Sequence, residues 1–277
     1  MGTLYLIATP IGNLEDITLR ALRLLSEVSL IAAEDTRQTR KLLDSYQIKT
    51  RVTSYFEHNK LDKLEMILET LQNSDVALVS DAGTPALNDP GYELVRAALA
   101  AGFQVSPVPG PSAPVAALVA SGLPTDAFLY LGYLPRKAGE RRRWLEQVSD
   151  LPYTLIFLEA PHRLLASLAD LRLVLGNRQV AVTRELTKRF EEIRRGTLDE
   201  VLEHFHQQPP RGEFTLVLAG KKAENFTWDE ARMRQALRQG LDEAEAPAHL
   251  ATRLAQLSGW PRRKVYALLL EQQKASE

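Results

Sequence analysis

Short apolar, β-branched runs alternate with stretches of helical periodicity from Met1 to about Leu123. Leu4–Ala8, Leu30–Ala33, Val76–Val79 and Val105–Val108 read as strands buried on both faces, and Val52–Tyr55 as a further strand. Helical patterns fall near Thr18–Ser26, Thr36–Tyr46, Leu61–Gln72, Gly91–Ala101 and Ser112–Ser121. This alternation predicts a mostly parallel sheet with right-handed crossovers.

Gly122-Leu123-Pro124-Thr125-Asp126 is turn chemistry and marks a boundary. Beyond it the pattern predicts strand Phe128–Gly132, helix Arg141–Val148, strand Tyr153–Glu159 and helix Arg163–Leu175. Strands Gln179–Arg184 and Glu191–Arg195 then follow without a helix between them, which predicts a mixed sheet. Thr197 and Glu200 form a capping box opening a helix to Phe205, and Phe214–Leu218 is the last strand. After Lys222 the chain reads as helical. A second capping box is predicted at Thr227–Glu230, and Pro247–Leu257, Ser258-Gly259-Trp260 and Pro261–Leu270 read as helix, tight turn, helix. The predicted domains are therefore 1–123 (α/β), 124–222 (α/β) and 227–277 (a small helical extension resembling a helix-turn-helix).

Composition narrows the chemistry. In 277 residues, 34 Lys plus Arg meet 35 Asp plus Glu, so a nucleic-acid surface has to be a local patch. Cysteine is absent, which excludes disulfides, thiol nucleophiles and cysteine metal sites. No apolar run approaches the 18 residues of a membrane span, and no signal-like segment opens the chain, so a cytoplasmic protein is expected. The phosphate-binding pattern Gly-x-x-x-x-Gly-Lys-Ser/Thr and the dinucleotide pattern Gly-x-Gly-x-x-Gly are missing. Gly110-Pro111-Ser112-Ala113-Pro114 resembles a nucleophile elbow only superficially, because Pro114 suits the first turn of a helix. The five histidines form no zinc-protease pair, and no metal site is expected.

Three strand-end strings stand out: Thr9-Pro10-Ile11-Gly12-Asn13, Ser80-Asp81-Ala82-Gly83-Thr84-Pro85 and Pro109-Gly110-Pro111-Ser112-Ala113. The carboxyl edge of an open α/β sheet is where small molecules bind. Gly, Ser and Thr there let the backbone approach a ligand and offer it polar partners. One such loop is an ordinary turn; three predict a cleft built largely from backbone. Ser112 can also serve as a helix N-cap.

These strings, with Ala32-Ala33-Glu34-Asp35-Thr36-Arg37, Asp89-Pro90-Gly91, Thr154-Leu155-Ile156-Phe157, His162-Arg163-Leu164-Leu165, Arg184-Glu185-Leu186-Thr187-Lys188 and Gly212-Glu213-Phe214, resemble the tetrapyrrole-methylase-like (class III) methyltransferase superfamily. More narrowly they resemble the bacterial ribosomal RNA small subunit methyltransferase I family. The resemblance implies two α/β domains with S-adenosylmethionine in the cleft between them, and a homodimer. It implies 2′-O-methylation of a decoding-centre cytidine (cytidine 1402) of 16S ribosomal RNA. By motif matching, Pro10, Ile11 and Gly12, Asp81, Ala82, Gly83, Thr84 and Pro85, and Ser112 and Ala113 would hold the cofactor from the first domain. Phe157, Leu158, Arg184, Gly212, Glu213 and Phe214 would do so from the second.

A ribose hydroxyl is a weak nucleophile, so a carboxylate near it can take its proton. Glu34, Asp35, Asp81 and Glu185 are the candidates, with Asp35 and Glu185 ranked first and Arg37 as a phosphate or ribose contact. Each has a plainer role: Asp35 as a helix cap, Asp81 as a loop or cofactor tether, Glu185 as a partner of Arg184 or Lys188. For RNA, the basic clusters are Arg136-Lys137, Arg141-Arg142-Arg143 and Arg262-Arg263-Lys264; Lys188-Arg189 and Arg194-Arg195 flank two predicted strands, diluted by Glu191 and Glu192. Two alternatives keep the fold and change the function: a tetrapyrrole-type small-molecule methyltransferase, and a non-catalytic nucleic-acid-binding ligand sensor. Thr9-Pro10-Ile11-Gly12-Asn13 in place of a glycine-rich string argues against the first of these.

Overall fold

The computed structural model describes residues 1–56, 59–221, 228–243 and 245–276. Residues 1–221 form one compact unit and residues 222–277 another. The first half of the larger unit carries strands Thr3–Ile7 (β1), Leu30–Ala33 (β2), Val52–Ser54 (β3), Val76–Val79 (β4) and Gln104–Val108 (β5), with helices Leu19–Glu27 (α1), Thr36–Ser45 (α2), Lys60–Asn73 (α3), Tyr92–Ala100 (α4) and Ala113–Ser121 (α5). The strand order is β3-β2-β4-β1-β5, and every pairing is parallel.

Strand alternation divides the apolar runs between two helix layers. Ile7, Ile31, Ala33, Ala77 and Val79 pack against Ala21, Leu24 and Leu25 of α1 and Leu42 and Leu43 of α2. Leu4, Leu30, Ala32, Val76 and Leu78 face the opposite way, onto Ile67 and Leu71 of α3 and Leu94 and Ala98 of α4. Both faces are covered, which is why the strands read as unbroken apolar runs. All the loops that follow these strands emerge on one edge.

The second half carries Phe128–Tyr133 (β6), Thr154–Glu159 (β7), Gln179–Arg184 (β8), Glu192–Thr197 (β9) and Phe214–Leu218 (β10), with helices Ala138–Glu146 (α6), Leu164–Leu175 (α7) and Leu198–Gln207 (α8). The order is β6-β7-β10-β8-β9; β6 and β7 run parallel and the other pairs antiparallel, the mixed sheet expected. Leu155, Phe157, Val180, Val182, Leu216 and Leu218 turn to one face, against Leu164, Leu168 and Leu171 of α7 and Val201 and Phe205 of α8. On the other face Ile156, Ala181 and Val217 meet Ala117 and Leu118 of α5. The last helix of the first half thus packs on the second sheet and joins the two.

Some local signals hold and others shift. Thr197 and Glu200 cap α8 reciprocally. The helix expected from Arg141 begins three residues earlier, with Lys137 at its N-cap. In the smaller unit, helices Glu230–Asp242 (α9), Pro247–Ser258 (α10) and Arg262–Ser276 (α11) surround Met233, Leu237, Leu250, Leu254, Val265 and Leu269. Gly259 takes the left-handed turn (φ 70°) between α10 and α11. Thr227, the first position of the predicted capping box, lies outside the described residues; Asp229 caps α9, accepting the Arg232 N–H at 2.7 Å. Among the described residues no helix is long and apolar enough to cross a membrane.

Candidate functional site

A cavity of about 300 Å³ lies where the strand-end loops of the first sheet face the second sheet. The three loops singled out in the sequence are stitched together there. Thr9 and Gly83 exchange backbone hydrogen bonds of 2.8 and 3.0 Å, and the Thr9 hydroxyl donates to the Ser80 carbonyl at 3.1 Å. The Thr84 hydroxyl donates to the Pro111 carbonyl at 3.4 Å. Gly83 holds φ +83°, so it suits glycine on conformational grounds. Ile11, Asp81, Ala82, Gly83, Thr84, Ser112 and Ala113 all line the cavity. Ser112 sits at the N-cap of α5 without a side-chain capping bond, and the first turn of α5 presents its positive end to the cavity.

Strand alternation explains what the second sheet contributes. Leu158, Thr183 and Thr215 are adjacent in register on β7, β8 and β10 and lie on the α5 face, beyond the helix. All three line the cavity. Phe157 points the other way and is fully buried in the core against Trp144, so its side chain is not available to a ligand. Of the other residues matched to the cofactor, Glu213 and Phe214 reach the cavity. Arg184 instead pairs with Glu192 at 3.1 Å. Gly12 is a point of close approach, with room for no side chain against Lys188 and Leu186. Pro10 lines a neighbouring pocket beside α2, and Gly212 (φ +82°) packs on the Glu185 carboxylate. Pro85 is buried behind the loop and does not line the cavity.

The carboxylates sort by environment. Asp35 caps α2 through the Arg37 N–H at 2.8 Å and pairs with the Arg37 guanidinium at 2.9 Å. Those bonds hold its carboxyl down at about 2, and it does not line the cavity. So bound, it caps a helix rather than facing the cavity, while the Arg37 side chain stays 87% exposed. Glu185 does line the cavity. It takes a strained left-handed φ of 50°, accepts Lys188 Nζ at 3.1 Å and accepts the Glu213 N–H at 3.2 Å. Burial raises its pKa, but those bonds outweigh burial and leave it lowered, so it braces the loop rather than serving as a free base. Asp81 accepts the Asp35 N–H at 2.9 Å, and Glu34 accepts the Asp81 N–H at 3.3 Å. Burial raises both.

Besides Thr183 and Thr215, the cavity is lined by Asn88, Asp89, Tyr130 and Tyr133, none of them anticipated as site residues. Burial pushes Asp89 up to about 6, helped by the charges of Glu34, Asp81 and Glu213 and opposed by the nearby Ser80 hydroxyl. Burial pushes Tyr130 up to about 12, and its hydroxyl is buried with no hydrogen-bond partner among the described residues. Tyr133 is raised by burial and by nearby acids. Asn88, with φ 65°, lies against Gly132 of β6, where a Cβ would come within 2.6 Å of Asn88 Nδ2. Asp89 stood inside the quoted Asp89-Pro90-Gly91 string, which was the one signal for it; nothing local marked Tyr130.

The basic clusters fare unequally. Arg141 is buried, with Nε 2.7 Å from Asp170 Oδ2 and Nη1 on the Pro135 and Arg136 carbonyls, so it cannot meet RNA. This corrects its place in the predicted patch. Arg142 is half-exposed on the same Asp170, and Lys137 pairs with Glu140. Arg136 and Arg143 are exposed. In the smaller unit Arg262 hydrogen-bonds Thr252, Arg263 is exposed and Lys264 lies 4.0 Å over the Trp260 ring.

Residues 3–202 match the family model described as Tetrapyrrole (Corrin/Porphyrin) Methylases. Proteins named ribosomal RNA small subunit methyltransferase I are similar over nearly the whole chain. That of Halalkalibacterium halodurans is 47% identical, with 96% of this chain and 93% of the relative covered. That of Pseudomonas aeruginosa is 47% identical, with 99% of each covered. Among solved structures, a uroporphyrin-III C-methyl transferase from Thermus thermophilus complexed with S-adenyl homocysteine superposes with a TM-score of 0.56 at 23% identity, over 79% of this chain and 97% of that one. On this similarity the chain belongs to the tetrapyrrole methylase family, and within it to the ribosomal RNA small subunit methyltransferase I proteins.

Proposed function

We propose that the protein transfers a methyl group from S-adenosylmethionine to small-subunit ribosomal RNA, at the 2′-oxygen of a decoding-centre cytidine. Near-full-length similarity to proteins with that ribosomal name carries the reading. The cavity suits such a donor. Glu34, Asp81, Asp89, Glu185 and Glu213 line it against Lys188, the one cation lining it among the described residues, which favours a ligand bearing positive charge at its reacting centre. The N-terminus of α5 and Lys188 suit a carboxylate, and the Tyr130 hydroxyl, without a partner among the described residues, offers a polar one. Bound there, the sulfonium supplies an already activated methyl group. The protein's share is then alignment, for which well-oriented groups gain on the order of 7–11 kcal/mol.

Asp81, Ala82, Gly83, Thr84, Ile11, Ser112 and Ala113 would hold the donor on one side, with Leu158, Thr183 and Thr215 on the other. Exposed Arg136, Arg143 and Arg263 would meet phosphates, since the acidic cavity itself repels them. The division 1–123, 124–222 and 227–277, a homodimer and a cytoplasmic location belong to the same reading. Incubating the protein with unmethylated small subunits and methyl-labelled donor, then mapping the label, tests it. The expected result is one labelled ribose. No calorimetric heat with the donor, or label on a small molecule instead, would refute it.

A further inference from the structure

Five carboxylates line the cavity, and their hydrogen bonds leave them unequally free. Glu185 is held by Lys188 Nζ and the Glu213 amide. Asp81 is held by the Asp35 amide, and Glu34 by the Asp81 amide. Glu213 stands at the rim, largely exposed and 3.8 Å from Lys188. A backbone N–H bond fixes the direction of the carboxylate that accepts it; burial still leaves Asp81 and Glu34 raised, so it is their fixed direction that separates them from Asp89. Asp89 differs from these. It is half-buried, and among the described residues no backbone amide hydrogen bond acts on it. The Ser80 hydroxyl lies near it and also reaches the Ala82 and Gly83 carbonyls, at 3.5 and 3.4 Å. The loop carrying it is fixed by left-handed Ala86 and Asn88, and Asn88 is docked on Gly132 of β6.

We propose that Asp89 accepts the proton of the nucleophilic hydroxyl during methyl transfer. The assignment rests on the methyltransfer reading above. In the step, a hydroxyl oxygen bonds the methyl carbon while the carbon–sulfur bond breaks. The bonding pair leaves with sulfur, which becomes a neutral thioether, and the hydroxyl proton passes to an Asp89 oxygen. Ribose methyl ether, thioether and protonated Asp89 account for every atom and charge. The groups facing Asp89 are Glu34, Asp81 and Glu213, whose charges raise its basicity, with Ser80 opposing them. Tyr130 and Tyr133 share the cavity and feel its charge. A base near 6 is matched to work at neutral pH, ionised before the step and still able to hold a proton after it.

The test pairs kinetics with a direct titration. In protein labelled with carboxyl-¹³C aspartate and free of donor, one resonance is expected to titrate near pH 6 and to vanish in Asp89→Asn. Asp89→Asn is expected to bind donor within about tenfold of the parent while turnover falls about 10²- to 10⁴-fold. The parent's kcat/KM for small subunits should rise with pH and level off, with its midpoint at or below about 6, because a bound cation favours the ionised form. Turnover retained in Asp89→Asn, or an acid limb that persists in it, would overturn the assignment. So would the absence of any such titration in the parent, a result that does not depend on the variant folding. If the parent itself fails to bind donor or transfer methyl, the methyltransfer reading falls first, and this assignment falls with it.

Discussion

Replacing Asp170 with alanine strands a guanidinium inside the protein. Arg141 and Asp170 side chains are 5% and 4% exposed, and Arg141 reaches Asp170 Oδ2 through both Nη2 at 2.5 Å and Nε at 2.7 Å. Arg142 Nε takes the other oxygen at 2.7 Å. Removing one partner of a buried pair costs about 3–5 kcal/mol, mostly from the charge left behind. In Asp170→Ala, Arg141 keeps only the Pro135 and Arg136 carbonyls, so about 3–4 kcal/mol is expected. In Arg141→Met, Asp170 keeps the half-exposed Arg142, and about 2–3 kcal/mol is expected. The double variant Arg141→Met/Asp170→Leu removes both charges and should lie within about 1 kcal/mol of the parent. Urea midpoints at unchanged slope, taken around this double-mutant cycle, give the coupling directly. Small-subunit affinity and its salt slope should not move in Arg141→Met. Loss below about 1 kcal/mol in Asp170→Ala, or weakened RNA binding by a stably folded Arg141→Met, would refute the burial argument.

Three further outcomes follow from the same geometry. Asp89, raised in the folded protein from 3.8 to about 6, costs no stability below pH 4 and its full penalty above about 6. The rise corresponds to at most about 3 kcal/mol, cut by solvent screening of a half-exposed group to about 1 kcal/mol, so thermal melts should show Asp89→Asn more stable than the parent at pH 8 and level with it at pH 4. Gly132→Ala puts a Cβ at φ +62°, 2.6 Å from Asn88 Nδ2; a loss of about 1–2 kcal/mol in denaturant and weaker donor binding by calorimetry are expected, and unchanged donor binding would show the Asn88 docking to be incidental, leaving the stability loss to the positive φ alone. Arg263→Glu should weaken small-subunit binding and flatten its salt dependence by about one phosphate's worth, with donor binding unchanged; equal affinity at two salt concentrations would exclude this helix start from the interface.

Much of this architecture is legible in the chain because short-range chemistry encodes it. A strand covered on both faces is apolar at every position, and Val76–Val79 is fully buried as its sequence requires. The Thr197 box and the Gly259 turn each need only their own neighbours to form. The backbone cradle was equally readable, since Gly83 reports a conformation that glycine favours. Side-chain roles were harder, because direction and company decide them. Phe157 and Leu158 are adjacent in sequence, yet alternation sends one into the core and the other to the cavity, and the sheet's facing partners decide which. Arg141 looked like its neighbours Arg142 and Arg143, and only a buried Asp170 some thirty positions away separates it from them. Asp35 and Asp89 are both aspartates that follow a strand. A helix N-terminus and Arg37 hold the first at about 2, while three acids and burial carry the second to about 6. The difference between a cap and a base therefore arises only when loops from β2 and β4 meet the second sheet. Closing the cleft gives Asp89 its proposed basicity as well as its place beside a ligand.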